Sequence, residues 1–256
     1  MKYINPVNTS RISVEMSEMR IEDVEKLCEI PAVFEQRTTS ELLRRVCTPI
    51  DRPNAVGDPR MWSVNERIFV VGSYMAATRD DGPDFPVGTD ASGGHFSDYL
   101  LADTDYVGDI PFSFDGNDAL YTPLLGYQAE VIESLIAGGT YKKTDFSWWC
   151  AVMAACVRGA SEVVEPYTDD ASYETWLVKR IDGYRKLAAS EFVSMFLAFL
   201  TVQQRGAHLV HAVTSSYGVV AEPVSERPEG APELAPACFP PHTCISHGAR
   251  SVMGFV

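Results

Sequence analysis

Residues 145–159 read DFSWWCAVMAACVRG, and this stretch decides how the chain folds. Eleven of the twelve residues from Phe146 to Val157 are apolar, Ser147 being the exception. A helix that is apolar all round must be enclosed by protein or by lipid. About 20 apolar residues are needed to span a bilayer, so this one belongs inside a protein core. Asp145 is expected to cap its start and Gly159 to end it. Ala151, Ala154 and Ala155 let neighbours approach closely, while Trp148 and Trp149 fill volume. The reading is therefore a multi-helix domain, mainly α (α+β), built around a buried helix over 145–158.

Working outward, periodicity and caps place further helices. Ile21, Val24, Leu27 and Cys28 share one face of a helix over 20–29. Thr38 and Glu41 form a T-x-x-E capping box for a helix over 38–47, and Ser63 and Glu66 form another for 63–78. Thr122-Pro123 marks the start of a helix over 123–137, because proline suits the first helical position. Two more helices cover 171–187 and 190–205. The second of these is strongly apolar and is the expected partner of the central helix. Short β pieces are expected in 1–16, where Arg11 to Met16 alternate weakly, and in 85–115, between turns rich in Gly, Pro and Asp.

Composition changes at Ala221. Six of the sixteen prolines fall in the last 36 residues, at 223, 228, 232, 236, 240 and 241. Proline fixes φ and removes a backbone donor, so the preceding pattern cannot continue. The expected organisation is a helical domain over 1–220 and an extended proline-rich arm over 221–256. A chain cut after Val220 should then still fold, the apolar side chains of the arm being left for a neighbouring subunit.

The 256 residues carry 21 basic and 35 acidic side chains, a net charge of −14. Such a surface does not neutralise nucleic-acid phosphates or anionic lipid. The first ten residues contain no apolar h-region, so no signal peptide is expected. Six cysteines lie scattered at 28, 47, 150, 156, 238 and 244 without a CxxC, and are expected to be reduced thiols made in a cytoplasm.

Chemistry-bearing groups are few. Cys238, His242, Cys244 and His247 have the donor types of a tetrahedral zinc site, in a spacing unlike that of a standard finger. The competing reading is an arm that happens to carry soft residues. His208 and His211 flank Leu-Val where a metalloprotease needs HExxH, so a structural histidine pair at a helix end is expected. Asp80, Asp81, Asp84, Asp103 and Asp105 lack the spacing of a calcium loop, and aspartates in such turns usually bond their own backbone. His95, Ser97 and Asp98 are triad residue types, but a triad is recognised by geometry. No P-loop, GxGxxG, GxSxG or kinase signature occurs.

One resemblance emerges at the join of two segments. The capped helix Ser63-Val-Asn-Glu-Arg-Ile-Phe-Val-Val-Gly-Ser-Tyr-Met-Ala-Ala-Thr78 runs into Asp81-Gly-Pro-Asp-Phe-Pro-Val-Gly88, then Phe96-Ser-Asp-Tyr-Leu100. With Met19 to Pro31 before it, this succession resembles virion-associated tail or baseplate proteins of tailed bacteriophages, over residues 19–100. Relatives in contractile tails can carry a four-cysteine metal knuckle after the comparable helix; aspartates and glycines stand there in this chain. The resemblance implies a non-enzymatic structural protein, located in the virion tail and forming homo-oligomeric and other tail-subunit contacts. It transfers no catalytic residue and no cofactor. The alternatives are a metal-dependent hydrolase using His95 with the aspartates of 80–105, or a cytoplasmic tail-assembly chaperone absent from the particle.

Overall fold

A computed structural model describes residues 4–79, 81–87, 94–163, 166–224 and 233–244. The described residues form an α+β fold with two hydrophobic cores that meet along one helix.

The first core is built from β1 (Val7–Asn8), β2 (Ser13–Met16), α1 (Ile21–Cys28), α2 (Glu35–Val46), β3 (Cys47–Pro49) and α3 (Val64–Thr78). The three strands pair antiparallel in the order β1-β2-β3. Helix α3 begins where the sequence places its capping box. Ser63 Oγ accepts the Glu66 N–H at 3.2 Å, and the Glu66 carboxylate accepts the Ser63 N–H at 2.7 Å. Helix α2 starts one turn earlier than Thr38–Glu41 predicts. The Thr38 and Thr39 hydroxyls instead bond back to the carbonyls of Phe34 and Glu35, as mid-helix threonines do.

Helix α3 joins the cores. Val70, Val71, Tyr74 and Met75 belong to the first and Val64 to the second, while Ile68 packs against both. Gly72 is required here: a Cβ would lie 2.3 Å from the Phe96 ring. That ring lies near the short hairpin β4 (Pro86–Val87) and β5 (Gly94–His95).

The second core contains β6 (Ile110–Phe114), β7 (Asn117–Tyr121), α4 (Gly126–Ala137), α5 (Asp145–Cys156), β8 (Val157–Gly159), α6 (Asp170–Tyr184), α7 (Ala189–Arg205), β9 (His211–Ser215) and β10 (Gly218–Glu222). Helix α5 is central, as its composition requires: Cys150, Ala151, Val152, Met153, Ala154 and Cys156 are buried. Several local expectations are corrected. Thr144, not Asp145, caps α5, its hydroxyl accepting the Ser147 N–H at 3.2 Å. Asp145 accepts the Ser216 N–H and so ties α5 to the β9–β10 turn. The helix stops at Cys156, because Val157 to Gly159 pair with β7. Helix α4 starts at Gly126 rather than at Pro123; Ser63 bridges Leu125, and Trp62 accepts the Gly126 N–H.

The expected partnership of α5 with α7 is only marginal. Helix α5 lies against α4, α6 and β9, whereas α7 packs mainly on the β6–β7 hairpin. The two helices meet through rings at one end, Trp149 with Phe196 at 4.9 Å and Phe146 with Phe192 at 5.2 Å.

The arm reading is also corrected. Its boundary at residue 221 falls inside β10, which pairs with β9 over five residues. Residues 233–244 are built into the first core. Ala221 and Ala237 exchange backbone hydrogen bonds at 2.8 Å, and Tyr99 donates to the Ala235 carbonyl at 2.9 Å. Phe239 sits among Phe85, Phe96 and Tyr99, with ring centroids 5.7–6.5 Å away. A proline-rich segment cannot make its own core, but it can complete one. The expectation for residues 245–256, Phe255 included, lies outside the described residues.

Candidate functional site

A groove runs between β8 and α6. Two clefts make it up, of about 810 Å³ and 540 Å³, and both are lined by Val157, Arg158 and Glu162. Volumes of this order suit a ligand or a short peptide.

Aromatic rings wall the larger cleft. Tyr127 from α4 lies 4.1 Å from Tyr167 and 5.0 Å from Tyr173, and Tyr173 lies 5.3 Å from Trp176. Tyr173 and Trp176 are three apart on α6, so the helix presents both to one side. Tyr167 is fixed by its hydroxyl: it donates to Asp170 at 2.6 Å and accepts from Arg60 at 3.1 Å. Burial pushes the Tyr127 phenol up to about 12 and the Tyr173 phenol higher still, so both are neutral O–H groups at ordinary pH.

Two ion pairs cross the groove's strand side. Arg158 binds Asp109, and Arg180 binds Glu162. The Arg180 guanidinium also stacks over Trp176 at 4.7 Å.

Behind the groove an ionic seam, buried at Arg67 and Glu133 and exposed at Asp170, joins the cores. Arg60 contacts Glu130 at 3.0 Å and Asp170 at 2.5 Å. Arg67, 1% exposed, donates to the Gln36 carbonyl at 2.5 Å and to Ser40 Oγ at 2.9 Å, with Glu130 at 3.9 Å. Burial pulls its guanidinium down to about 10, against the attraction of Glu130 and Glu133. Glu133 on α4 accepts the N–H groups of Gln36 and Arg37, capping α2 from a neighbouring helix. Burial nevertheless raises Glu133 to about 7, and also Glu35, which lines the same small cleft of about 210 Å³.

The residues singled out in the sequence are placed elsewhere. Cys238 and Cys244 are free thiols, raised by burial to about 11 and 12. Cys244 and His242 lie in the turn Pro241–Cys244, and His247 is outside the described residues. Among the described residues no three His, Cys, Asp or Glu side chains come together as metal ligands. Of the aspartates of 80–105, Asp80 lies outside the described residues and the described ones bond locally. Asp84 accepts the Ser97 N–H and hydroxyl, Asp98 the His95 N–H, and Asp103 the Asp105 N–H. His95, Ser97 and Asp98 therefore form a turn, with the serine hydroxyl directed to Asp84.

His208 and His211 do not end a helix. His211 reaches Glu222 across β9–β10 at 3.1 Å. His208 Nε2 lies 3.1 Å from Ser63 Oγ and its Nδ1 3.1 Å from the Gly206 carbonyl. The carbonyl can only accept, so Nδ1 carries the proton and Nε2 accepts from Ser63. This is the bond of a nucleophile and its base, but Ser63 is 0% and His208 1% exposed. Its work is to join the start of α3 to the chain entering β9.

Sequence reasoning missed the groove. Its one legible signal is Tyr173, Trp176 and Arg180 at helical spacing. Val157 to Gly159 were hidden at the end of the apolar run of α5.

No protein-family model matches the chain, and no curated protein or solved structure shows significant similarity to it. Among the described residues no helix is long and apolar enough to cross a membrane.

Proposed function

We propose that the protein is a structural subunit of a multi-copy assembly, the tail baseplate of a tailed bacteriophage, in which it contacts other copies and other tail proteins. The observation that carries the assembly role is the outer face of α7. Val193, Leu197 and Leu200 are 52%, 58% and 37% exposed, at spacings of four and three residues. They form one ridge of the helix, and no charged residue lies between Glu191 and Arg205. Phe146, 45% exposed, flanks it through its contact with Phe192. A surface helix normally turns charged residues to water. A contiguous apolar ridge marks a protein contact. The phage tail as the particular assembly rests on the resemblance of residues 19–100.

The test is the mass in solution as concentration rises, together with mass spectrometry of purified particles. The wild-type chain should exceed its 28.2 kDa monomer mass at high concentration. Leu197→Asp should restore the monomer with an unchanged circular dichroism spectrum. A chain that stays monomeric throughout and is missing from purified particles would sink the proposal.

A further inference from the structure

Among the described residues strand β8 is the outer strand of the sheet β6-β7-β8, and two side chains bond the backbone of its outer edge. The backbone bonds Thr122 N–H to Cys156 and Ala160 N–H to Asp118 bracket the β7–β8 ladder. By the alternation of an antiparallel pair, Arg158 turns its N–H and carbonyl to β7, while Val157 and Gly159 turn theirs outward. Arg180 donates to the outward Val157 carbonyl, and the Glu162 carboxylate accepts the outward Gly159 N–H at 3.1 Å. Arg180 and Glu162 are also bound to each other. One residue of a parallel strand opposite Arg158 would make the same two bonds, its N–H to the carbonyl of 157 and its carbonyl to the N–H of 159. The ion pair is thus a side-chain substitute for one strand residue.

The surroundings are shaped for a longer chain. The ion pair divides the groove into its two clefts, with Tyr173 and Trp176 of α6 on one side and Gly183 and Tyr184 on the other. From Tyr173 to Tyr184 the helix rises about 16 Å at ~1.5 Å per residue. That length accommodates roughly five residues of extended chain.

We propose that this edge is a docking site for an extended segment of another protein, which adds parallel to β8 and takes over the bonds made by Arg180 and Glu162. Strand addition of this kind takes affinity from main-chain bonds and specificity from flanking pockets. The ring-lined cleft calls for an apolar or aromatic side chain. The other cleft presents Asp118 and Glu191, which have no ion-pair partner among the described residues and call for lysine or arginine. Parallel addition is selected because the Val157 N–H is already bonded to Met153 as the cap of α5, leaving an antiparallel partner without that donor. A second copy of β8 paired about a twofold axis centred on Arg158 would set Arg158 against Arg158, and like charges directly opposite destabilise a sheet; an axis at 157 or 159 would need the Val157 N–H or the Gly159 carbonyl, which are bonded to Met153 and Glu162.

The test uses the full chain and a fluorescein-labelled octapeptide of alternating threonine and valine, with one tryptophan near one end and one lysine near the other. Binding is read by anisotropy, and the Gly159 amide by hydrogen exchange. Glu162→Ala removes the ion pair and the acceptor of the Gly159 N–H, and should bind the peptide about tenfold more tightly than wild type, because the open edge no longer has to be populated first. In the variant the Gly159 amide should exchange faster, and the peptide should restore its protection. Trp176→Ala should weaken binding in both backgrounds. Arg180→Gln tests the same expectation from the other side of the ion pair if Glu162→Ala fails to fold. Equal affinity of wild type and the opened variants overturns the proposal. So does bound peptide that leaves Gly159 unprotected, or an opened variant that only self-associates, which would make the ion pair a guard against edge aggregation.

Discussion

Replacing Phe239 with alanine tests where the proline-rich segment belongs. Phe239 is 6% exposed and is enclosed by Phe85, Phe96 and Tyr99, with Phe85 and Phe96 themselves stacked at 5.2 Å. Removing a buried phenylalanine costs roughly 3–5 kcal/mol through lost transfer energy and the cavity left behind. The three edge-on ring contacts place this site toward the upper end, since such pairs add about 0.5–1.5 kcal/mol beyond area. For a chain of this length about 1 kcal/mol corresponds to some 2–4 °C, so Tm should fall by roughly 6–20 °C. Differential scanning calorimetry measures it, with Phe146→Ala, at the 45% exposed position, as a control expected to change Tm by only a few degrees. A Phe239→Ala chain that melts with the wild type would show that residues 233–244 are no part of the core, and the separate-arm reading would return. The structure expects a chain cut after Val220 to be severely destabilised, because the cut removes Ala221, Leu234, Ala237, Phe239 and Cys244 from buried positions.

Two further outcomes follow from burial of titratable groups. Glu35 and Glu133 both titrate near 7 in the folded chain, against about 4.5 when unfolded. A raised acid binds its proton more tightly in the folded state, so its contribution is complete below about 4.5 and declines as pH rises toward 7. Tm should therefore fall between pH 5 and pH 7.5, and Glu35→Gln or Glu133→Gln should flatten that slope; an unchanged slope in both variants refutes the assignment. Among the thiols, burial raises all three of Cys28, Cys150 and Cys156, but Cys28 is partly exposed whereas Cys150 and Cys156 are buried, Cys150 being raised to about 11. In the native protein a thiol reagent should label Cys28 first and reach Cys150 and Cys156 only after denaturation, which peptide mapping would report.

What the sequence determined by itself was the set of helices. Helical order is written locally: Ser63 and Glu66 satisfy the first N–H groups of α3 within four residues, and the apolar run of α5 demands enclosure whatever encloses it. Tertiary structure decided the rest, because the deciding partners are distant in the chain. Val157 to Gly159 read as the end of a helix until β7, nearly forty residues earlier, offers them a ladder. Helix α7 carries apolar residues over most of its circumference, so only its seating on the β6–β7 hairpin settles that Met195 and Phe199 are buried and Leu197 is not. The groove needs Tyr127 from α4, Arg158 from β8 and Trp176 from α6 together, and no spacing in one segment can announce that. The prolines after Ala221 state correctly that this segment cannot form its own core. That it completes another depends on the gap among Phe85, Phe96 and Tyr99, which exists only once α3 and the hairpin beside it have folded.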